Sequence, residues 1–279
     1  MNHMLRLENV SYTYEDNTKA LDNINLDLNR GNIIGLIGSN GAGKSTLFLN
    51  MVGILKPQQG KIIFNESEIK YKKDFLYNFR TKVGIVFQDP DKQIFYSSVY
   101  DDVAFALRNL GIEEKEVKNR VDKALNEAGA VEFKEKPVHF LSHGQKKRVA
   151  MAGVLAMNCE IILFDEPTAG LDPIMTKSVK DMIIGLSKLG KKIVISSHNM
   201  DLIYEICDYI YVLDHGKIIG EGNSDKVFTK DELLKKANLD EPWLLKVHKY
   251  MGLPLFKEEE KLYEYWGKTY EHSSNWSKS

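Results

Sequence analysis

Runs of apolar residues along the chain predict a series of strands. Four short runs are rich in apolar side chains, which is typical of strands buried inside a parallel sheet: residues 33–37, 83–87, 161–164 and 192–196. Residues 24–28 alternate between apolar and polar side chains, as a half-buried strand does, and residues 5–10 look like an edge strand. Two further runs, at 209–213 and 217–221, are separated by Asp214-His215-Gly216 and predict a hairpin.

Helical periodicity replaces the strand pattern in the central part of the chain. In one stretch, apolar residues recur every three or four positions between charged neighbours, at Val117, Val121, Leu125 and Ala128. A further helix is predicted to begin at Ser142, with a buried face made by Val149, Ala152 and Leu155. Beyond about residue 225 the chain is rich in Lys and Glu with scattered Leu and Trp, which predicts a small helical appendix.

These patterns together predict an α/β protein. We expect antiparallel strands near the N-terminus, a mixed sheet, and a helical subdomain inserted between two strands of that sheet at about residues 89–158. The main domain is predicted to span residues 1–225, and a C-terminal helical extension to span residues 226–279.

The composition is that of an ordinary soluble globular protein. Of the 279 residues, 43% are hydrophobic and 28% are charged, and the formal net charge of −1 offers no basic excess for a nucleic-acid partner. Two cysteines, Cys159 and Cys207, fit a reducing cytoplasm. No signal-peptide core and no run of about 18 apolar residues is present. We therefore expect any membrane role to come through a partner.

Residues 38–46 are the first candidate binding site. They match the phosphate-loop pattern G-x-x-x-x-G-K-[ST] between a predicted strand and a predicted helix. They are Gly38, Ser39, Asn40, Gly41, Ala42, Gly43, Lys44, Ser45 and Thr46. Glycines let the backbone bend so that consecutive N–H groups and the positive end of the helix face a polyphosphate. We expect Lys44 to hold the β- and γ-phosphates of a nucleoside triphosphate and the Ser45 hydroxyl to ligate Mg²⁺.

Polar residues after the predicted strands supply the other candidates. Asp165 and Glu166 follow the apolar run 161–164, where Asp165 is placed to hold Mg²⁺ and Glu166 to take a proton from an attacking water. His198, at the same sheet edge, is either structural or catalytic. Tyr14 either stacks on a base or packs at a strand end. Ser142 is either a helix cap alone or part of a second phosphate site.

In this order, the pieces resemble the ATP-binding cassette (ABC) ATPases, a phosphate-loop NTPase fold, over roughly residues 1–225. The most specific element is Leu141-Ser142-His143-Gly144-Gln145, which is similar to the family's L-S-G-G-Q signature. The resemblance implies the following roles: adenine stacking for Tyr14, the Walker A loop for 38–46, γ-phosphate and metal sensing for Gln88, Walker B for Asp165, catalytic base for Glu166, D-loop for Asp172, switch histidine for His198, and phosphate contacts for Ser142 and Gly144.

The resemblance also implies a dimer. In that family two cassettes sandwich two ATP molecules, each held by the Walker A loop of one subunit and the signature helix of the other. ATP binding closes the pair, and hydrolysis opens it by removing the bridging charge.

A narrower resemblance concerns residues 88–95, Gln-Asp-Pro-Asp-Lys-Gln-Ile-Phe. They look like the Q-N-P-D-x-Q-x-F stretch of the energy-coupling factor (ECF) and cobalt-type importer ATPases, with Asp89 in place of the usual Asn. Residues 142–157 and the extension around Pro242 are similar to the same group, in which the C-terminal region helps hold two ATPases together.

This resemblance implies an ATPase at the cytoplasmic face of the membrane. It would drive a transmembrane coupling protein, contacted by residues 88–100, and through it a substrate-binding membrane protein for a vitamin or a cobalt or nickel ion. Three alternatives stay open: an ordinary ABC importer or exporter subunit, a soluble ABC ATPase in translation or DNA repair, and a phosphate-loop kinase, against which the signature segment argues.

His143 departs from the signature pattern, in which this position is usually glycine. Because histidine gains a proton near pH 6.5, a protonated His143 would add attraction to the phosphates and make activity depend on pH. We expect the ATPase profile between about pH 5.5 and 8 to differ between the wild type and His143→Gly. Identical profiles for the two proteins would reject this role.

Overall fold

The computed structural model describes residues 5–273, with the side chains of residues 270–273 outside the description. Ten strands are formed by β1 Leu5–Thr13, β2 Lys19–Asp27, β3 Ile33–Ile37, β4 Gln59–Phe64, β5 Ser67–Glu68, β6 Val83–Val86, β7 Ile161–Asp165, β8 Lys192–Ser196, β9 Tyr209–Asp214 and β10 Lys217–Asn223 within that range. Eleven α-helices are formed there by α1 Lys44–Met51, α2 Lys73–Arg80, α3 Val99–Asn109, α4 Glu114–Glu127, α5 His143–Met157, α6 Pro173–Lys188, α7 Met200–Ile206, α8 Ser224–Phe228, α9 Asp231–Lys236, α10 Trp243–Met251 and α11 Glu259–Ser273.

The strands form two sheets. A four-stranded antiparallel sheet has the order β2-β1-β4-β5, and a six-stranded sheet has the order β10-β9-β3-β8-β7-β6. In the larger sheet β6, β7, β8, β3 and β9 are parallel, whereas β10 pairs antiparallel with β9. The predicted mixed sheet, antiparallel N-terminal strands and terminal hairpin are therefore confirmed.

The prediction that residues 5–10 form an edge strand was wrong. Strand β1 pairs with β2 on one side and with β4 on the other. Its apolar side chains Leu5, Leu7 and Val10 are fully or almost fully buried. An interior strand with only one buried face shows the same short apolar pattern as an edge strand. Only the pairing with β2 and β4 distinguishes the two.

Each face of the larger sheet covers its own core. Along β7, Ile161 and Leu163 point to the core shared with the antiparallel sheet and α1, while Ile162 and Phe164 point to the core shared with the other helices. Strands buried on both faces read as continuous apolar runs, which is why the sequence shows them so clearly.

The helical insertion lies where it was predicted, since α3, α4 and α5 come between β6 and β7 along the chain. The helices α8 to α11 follow the sheet, and their buried residues join the same core as the sheet's helical face: Val227, Phe228, Leu234, Ala237, Leu244, Leu245 and Leu262. The division of the chain at residue 225 stays a prediction.

Candidate active site

An open cleft of about 390 Å³ lies at the carboxyl ends of the parallel strands, the edge at which open α/β sheets bind ligands. Its lining brings together most of the predicted site residues: Tyr14, Asn40, Gly41, Ala42, Gly43, Lys44, Ser45, Thr46, Gln88, Asp165, Glu166 and His198. Thr18, Lys19 and Ala20, which the sequence did not single out, line it as well.

The turn at residues 38–43 requires glycine at two points. Gly43 caps α1 in a left-handed conformation, with φ of 107°, and a Cβ on it would lie 2.5 Å from the Ala20 carbonyl oxygen. A Cβ on Gly38 would collide with the Leu213 carbonyl oxygen. The loop therefore fits tightly against its neighbours, and the N-terminal end of α1 opens into the cleft.

Lys44 lies in the first turn of α1 with its side chain folded back over the loop. Its Nζ donates to the carbonyl oxygens of Gly38 at 2.7 Å and Ser39 at 3.0 Å. Burial lowers the pKa of the Lys44 ammonium, and the negative charges of Glu166 and Asp165 oppose that shift. The lysine is thus anchored by neutral carbonyls that a phosphate oxygen can replace.

Asp165 is a buried carboxylate held by two hydroxyl groups. The Ser45 hydroxyl donates to one of its oxygens at 2.8 Å, and the Ser196 hydroxyl donates to the other at 2.5 Å. Ser45 and Asp165 thus present the oxygen ligands that Mg²⁺ prefers. No cluster of three or more His, Cys, Asp and Glu suited to a metal occurs within residues 5–273. This small donor set fits Mg²⁺, which takes most of its ligands from phosphates and water.

Glu166 is buried and turned sharply, with φ of 50° in the left-handed region. One carboxylate oxygen accepts from the His198 backbone N–H at 3.2 Å. The other lies 3.5 Å from His198 Nε2 and has no hydrogen-bond partner in the described part of the chain. The carboxylate is therefore oriented, and one of its oxygens is available to accept a proton.

Tyr14 reaches the cleft from the loop after β1. Its hydroxyl is 2.9 Å from the Thr46 hydroxyl, its ring packs edge-on against Tyr12, and 38% of the residue is exposed. The ring is thus held at the mouth of the cleft with part of its surface exposed. Stacking of this ring on a base stays a prediction.

Five predicted residues lie outside the lining of this cleft: Gly38 and Ser39, whose carbonyl oxygens accept from Lys44, and Ser142, Gly144 and Asp172. Ser142 caps α5 in a capping box with Gln145, and Asp172 caps α6 by accepting from the Met175 N–H at 2.9 Å. Gly144 lies against Leu171, so the start of α5 packs on the turn before α6. Gln88, by contrast, lines the cleft and is exposed.

Two further residues that support the site were missed by the sequence analysis. Ser196, at the end of β8, holds both the Asp165 carboxylate and the Glu166 N–H. Lys147 is fully buried, and its Nζ donates to the carbonyl oxygens of Glu166 and Ala169. One signal in the sequence could have shown that Lys147 is buried. It lies three, four and seven positions before Ala150, Met151 and Val154, which places it on the same, buried face of the helix.

Comparison with known proteins identifies the family. A family model described as ABC transporter matches residues 21–169, more than half of the chain. The chain belongs to the ABC transporter family. Within it, the chain is an ATP-binding subunit that hydrolyses ATP, and the predicted fold class and enzyme class are confirmed.

Two curated relatives are similar over most of their length. The cobalt import ATP-binding protein CbiO of Salmonella paratyphi A is 45% identical over 92% of this chain and 94% of its own. The energy-coupling factor transporter ATP-binding protein EcfA of Methanocaldococcus jannaschii is 45% identical over 86% of each chain.

Solved structures of ABC ATPases share the fold. CbiO1 from Clostridium perfringens, part of the ABC transporter complex CbiONQ, has a TM-score of 0.75 and 42% identity, covering 91% of this chain and all of its own. The cassette MJ0796, solved as a dimer bound to ADP and phosphate, has a TM-score of 0.74 and 28% identity, covering 79% of this chain and 99% of its own. Across residues 5–273, each helix of the present ABC ATPase is too short or too polar to cross a bilayer.

The position of Tyr14 yields a prediction for ATP binding. Removal of the ring in Tyr14→Ala should weaken ATP affinity about tenfold, because base stacking on an aromatic ring contributes about 1–3 kcal/mol. Tyr14→Phe loses only the hydrogen bond to Thr46 and should stay within about threefold of the wild type. Titration of a fluorescent ATP analogue measures both affinities.

Tyr77→Ala, on an exposed tyrosine of α2, is the matched control and should bind as the wild type does. If Tyr14→Phe binds as weakly as Tyr14→Ala, the hydroxyl rather than the ring contributes the affinity.

Proposed function

We propose that the chain is the ATPase subunit of an ECF-type importer that moves a vitamin or a transition-metal ion such as cobalt or nickel. The observation that supports this most strongly is the 45% identity, over nearly the whole chain, to proteins named for cobalt import and for an energy-coupling factor transporter. The stretch at residues 88–95 points to the same group. The second candidate function is that of an ATPase subunit in another ABC transporter. A soluble ABC ATPase without a role in transport is a weaker third candidate.

The active unit in this proposal is a pair of cassettes. Among the described residues 5–273, the helix N-terminus in the lining of the cleft is that of α1, whereas Ser142 and Gly144 at the start of α5 lie outside the lining. A second cassette would bring its own α5 to the cleft, so that two positive helix ends face one triphosphate. The dimer of MJ0796 with ADP and phosphate supports this arrangement.

In the ATP-bound state, Lys44 would exchange the carbonyl oxygens of Gly38 and Ser39 for the β- and γ-phosphates. The loop N–H groups and the N-terminus of α1 would hold the remaining phosphate oxygens. Ser45, Asp165 and Gln88 would hold Mg²⁺, which when bound supplies charge neutralisation between the phosphates.

Glu166 would then orient the attacking water and accept its proton through the oxygen that lacks a hydrogen bond. His198 lies beside this oxygen with its ring 45% exposed toward the cleft, where it could contact the γ-phosphate. Gln88 would report the presence of that phosphate to the segment that follows it.

That following segment, residues 88–100, is the proposed contact with the transmembrane coupling protein. Phe95 is 77% exposed and borders an apolar groove with Ile54, Ile85, Phe105 and Met157. The Gln93 side chain accepts from the Phe87 N–H at 3.0 Å and donates to the Ala150 carbonyl at 2.9 Å. The groove is thereby tied both to the strand that precedes Gln88 and to α5. Attachment to the membrane would come through this partner.

Glu166→Gln tests the catalytic assignment. Because an amide cannot accept the proton, the variant should lose on the order of 10²-fold or more in kcat. It should still bind ATP and accumulate as an ATP-dependent dimer, measured by light scattering with and without ATP and Mg²⁺. Hydrolysis at the wild-type rate would show that another residue is the base.

Phe95→Asp tests the coupling surface. The tagged wild type should capture a transmembrane coupling protein and a substrate-binding membrane protein from detergent-solubilised membranes. A charge at the apolar groove should lower this capture about tenfold or more while ATP hydrolysis by the isolated chain stays unchanged.

Leu189→Asp, at an exposed position after α6, is the matched control and should leave capture intact. Capture of a membrane transporter without a separate substrate-binding protein would favour another ABC transporter, and capture of no membrane protein would favour a soluble ATPase.

A further inference from the structure

Lys147 is a charged residue in the interior of the protein, one turn after the start of α5. Its relative exposure is 0%. A buried ammonium group is unfavourable unless hydrogen bonds and opposite charges compensate for lost water. Its Nζ donates to the Glu166 carbonyl oxygen at 2.7 Å and to the Ala169 carbonyl oxygen at 2.9 Å.

The two acceptors are the two ends of one turn. The Ala169 N–H donates to the Glu166 carbonyl at 3.3 Å, so residues 166–169 close as a β-turn. Lys147 links the first and last carbonyl of this turn to α5. The turn leads directly into Gly170 and Leu171, against which His143 and Gly144 of α5 also lie.

The same turn begins with the proposed base in an uncommon backbone conformation. Glu166 has φ of 50°, which a side-chain-bearing residue adopts only when its surroundings hold it there. Its N–H donates to the Ser196 carbonyl at 3.1 Å and to the Ser196 hydroxyl at 3.2 Å. Ser196 thus holds one side of the Glu166 backbone, and Lys147 holds the other.

We propose that Lys147 is a positioning residue for ATP hydrolysis: its two hydrogen bonds fix the turn that aims the Glu166 carboxylate. The helix that begins with Ser142 and Gly144 is thereby attached to the base of its own chain. In a closed pair, α5 faces the ATP held by the partner subunit, so Lys147 links that contact to the neighbouring hydrolytic site. This inference rests on the proposed role of Glu166.

Lys147→Met and Lys147→Gln separate the hydrogen bonds from the size of the side chain. Met has nearly the same length and no donor, whereas Gln offers two amide N–H groups to the two carbonyls. We expect Lys147→Met to lose about tenfold or more in kcat with the KM for ATP within about twofold of the wild type, because a misplaced base affects the chemical step alone. Lys147→Gln should recover kcat to within about threefold.

Lys191→Met is the matched control. Lys191 donates to the backbone and side-chain oxygens of Asn158 at the other end of α5, and burial lowers its pKa as it does for Lys147. This variant should change thermal stability and leave kcat unaltered.

A Lys147→Met protein with wild-type kcat, or one in which KM rises as kcat falls, overturns the inference. If Lys147→Met does not fold, a folded Lys147→Gln with kcat and KM near the wild type supports the two hydrogen bonds, and an unfolded Lys147→Gln assigns Lys147 to stability alone. Glu166→Gln, measured in parallel, distinguishes a failure of the proposed base from a failure of the positioning role of Lys147. Wild-type activity in Glu166→Gln overturns the proposed base itself, whereas inactivity in it with full activity in Lys147→Met overturns only the positioning role.

Discussion

The register of three parallel strands is the constraint on which the site depends. Asp165 at the end of β7 lies opposite Ser196 of β8, and Ser196 lies opposite Leu36 of β3, just before the phosphate loop. A shift of one residue would turn Asp165 to the other face and separate it from Ser45. Because apolar side chains fill both faces of these strands, such a shift would also move side chains from one of the two cores into the other. The core therefore fixes the site.

The site also balances buried charges. Asp165 and Glu166 are nearly inaccessible carboxylates. Both Lys44 and Lys147 interact with them, and burial lowers the pKa of each lysine while the two carboxylates oppose that shift. A charge removed from water is tolerated when hydrogen bonds and opposite charges surround it. Lys44 donates to two carbonyl oxygens of the loop, which phosphate oxygens would replace in the proposed ATP complex, whereas Lys147 donates to carbonyl oxygens of the turn at 166–169. In this proposal Lys44 binds the ligand, whereas Lys147 keeps its hydrogen bonds within the protein.

Two helix N-termini with different surroundings are the basis of the proposal that a pair of cassettes is the active unit. The start of α1 opens into the cleft, whereas the start of α5 lies beside the turn before α6, with Ser142 and His143 exposed. Neither end is covered by the other within the described part of the chain. A triphosphate carries more negative charge than one helix end neutralises, so a second copy of α5 is the natural complement. One of the similar solved structures is a dimeric cassette bound to ADP and phosphate.

The sequence by itself determined the features that depend on neighbouring residues along the chain. The phosphate loop, the pair Asp165-Glu166, the capped start of α5 and the helical insertion all appear as local spacing, because glycine, capping residues and apolar periodicity act within a few positions. The tertiary structure decided what depends on distant partners. Strand β1 proved to be interior because β4, about 50 residues later, covers its second edge. Lys147 lies at helical spacing from the buried Ala150, Met151 and Val154, but the two carbonyl oxygens that accept from its ammonium group belong to the distant turn at 166–169, which only the tertiary structure shows.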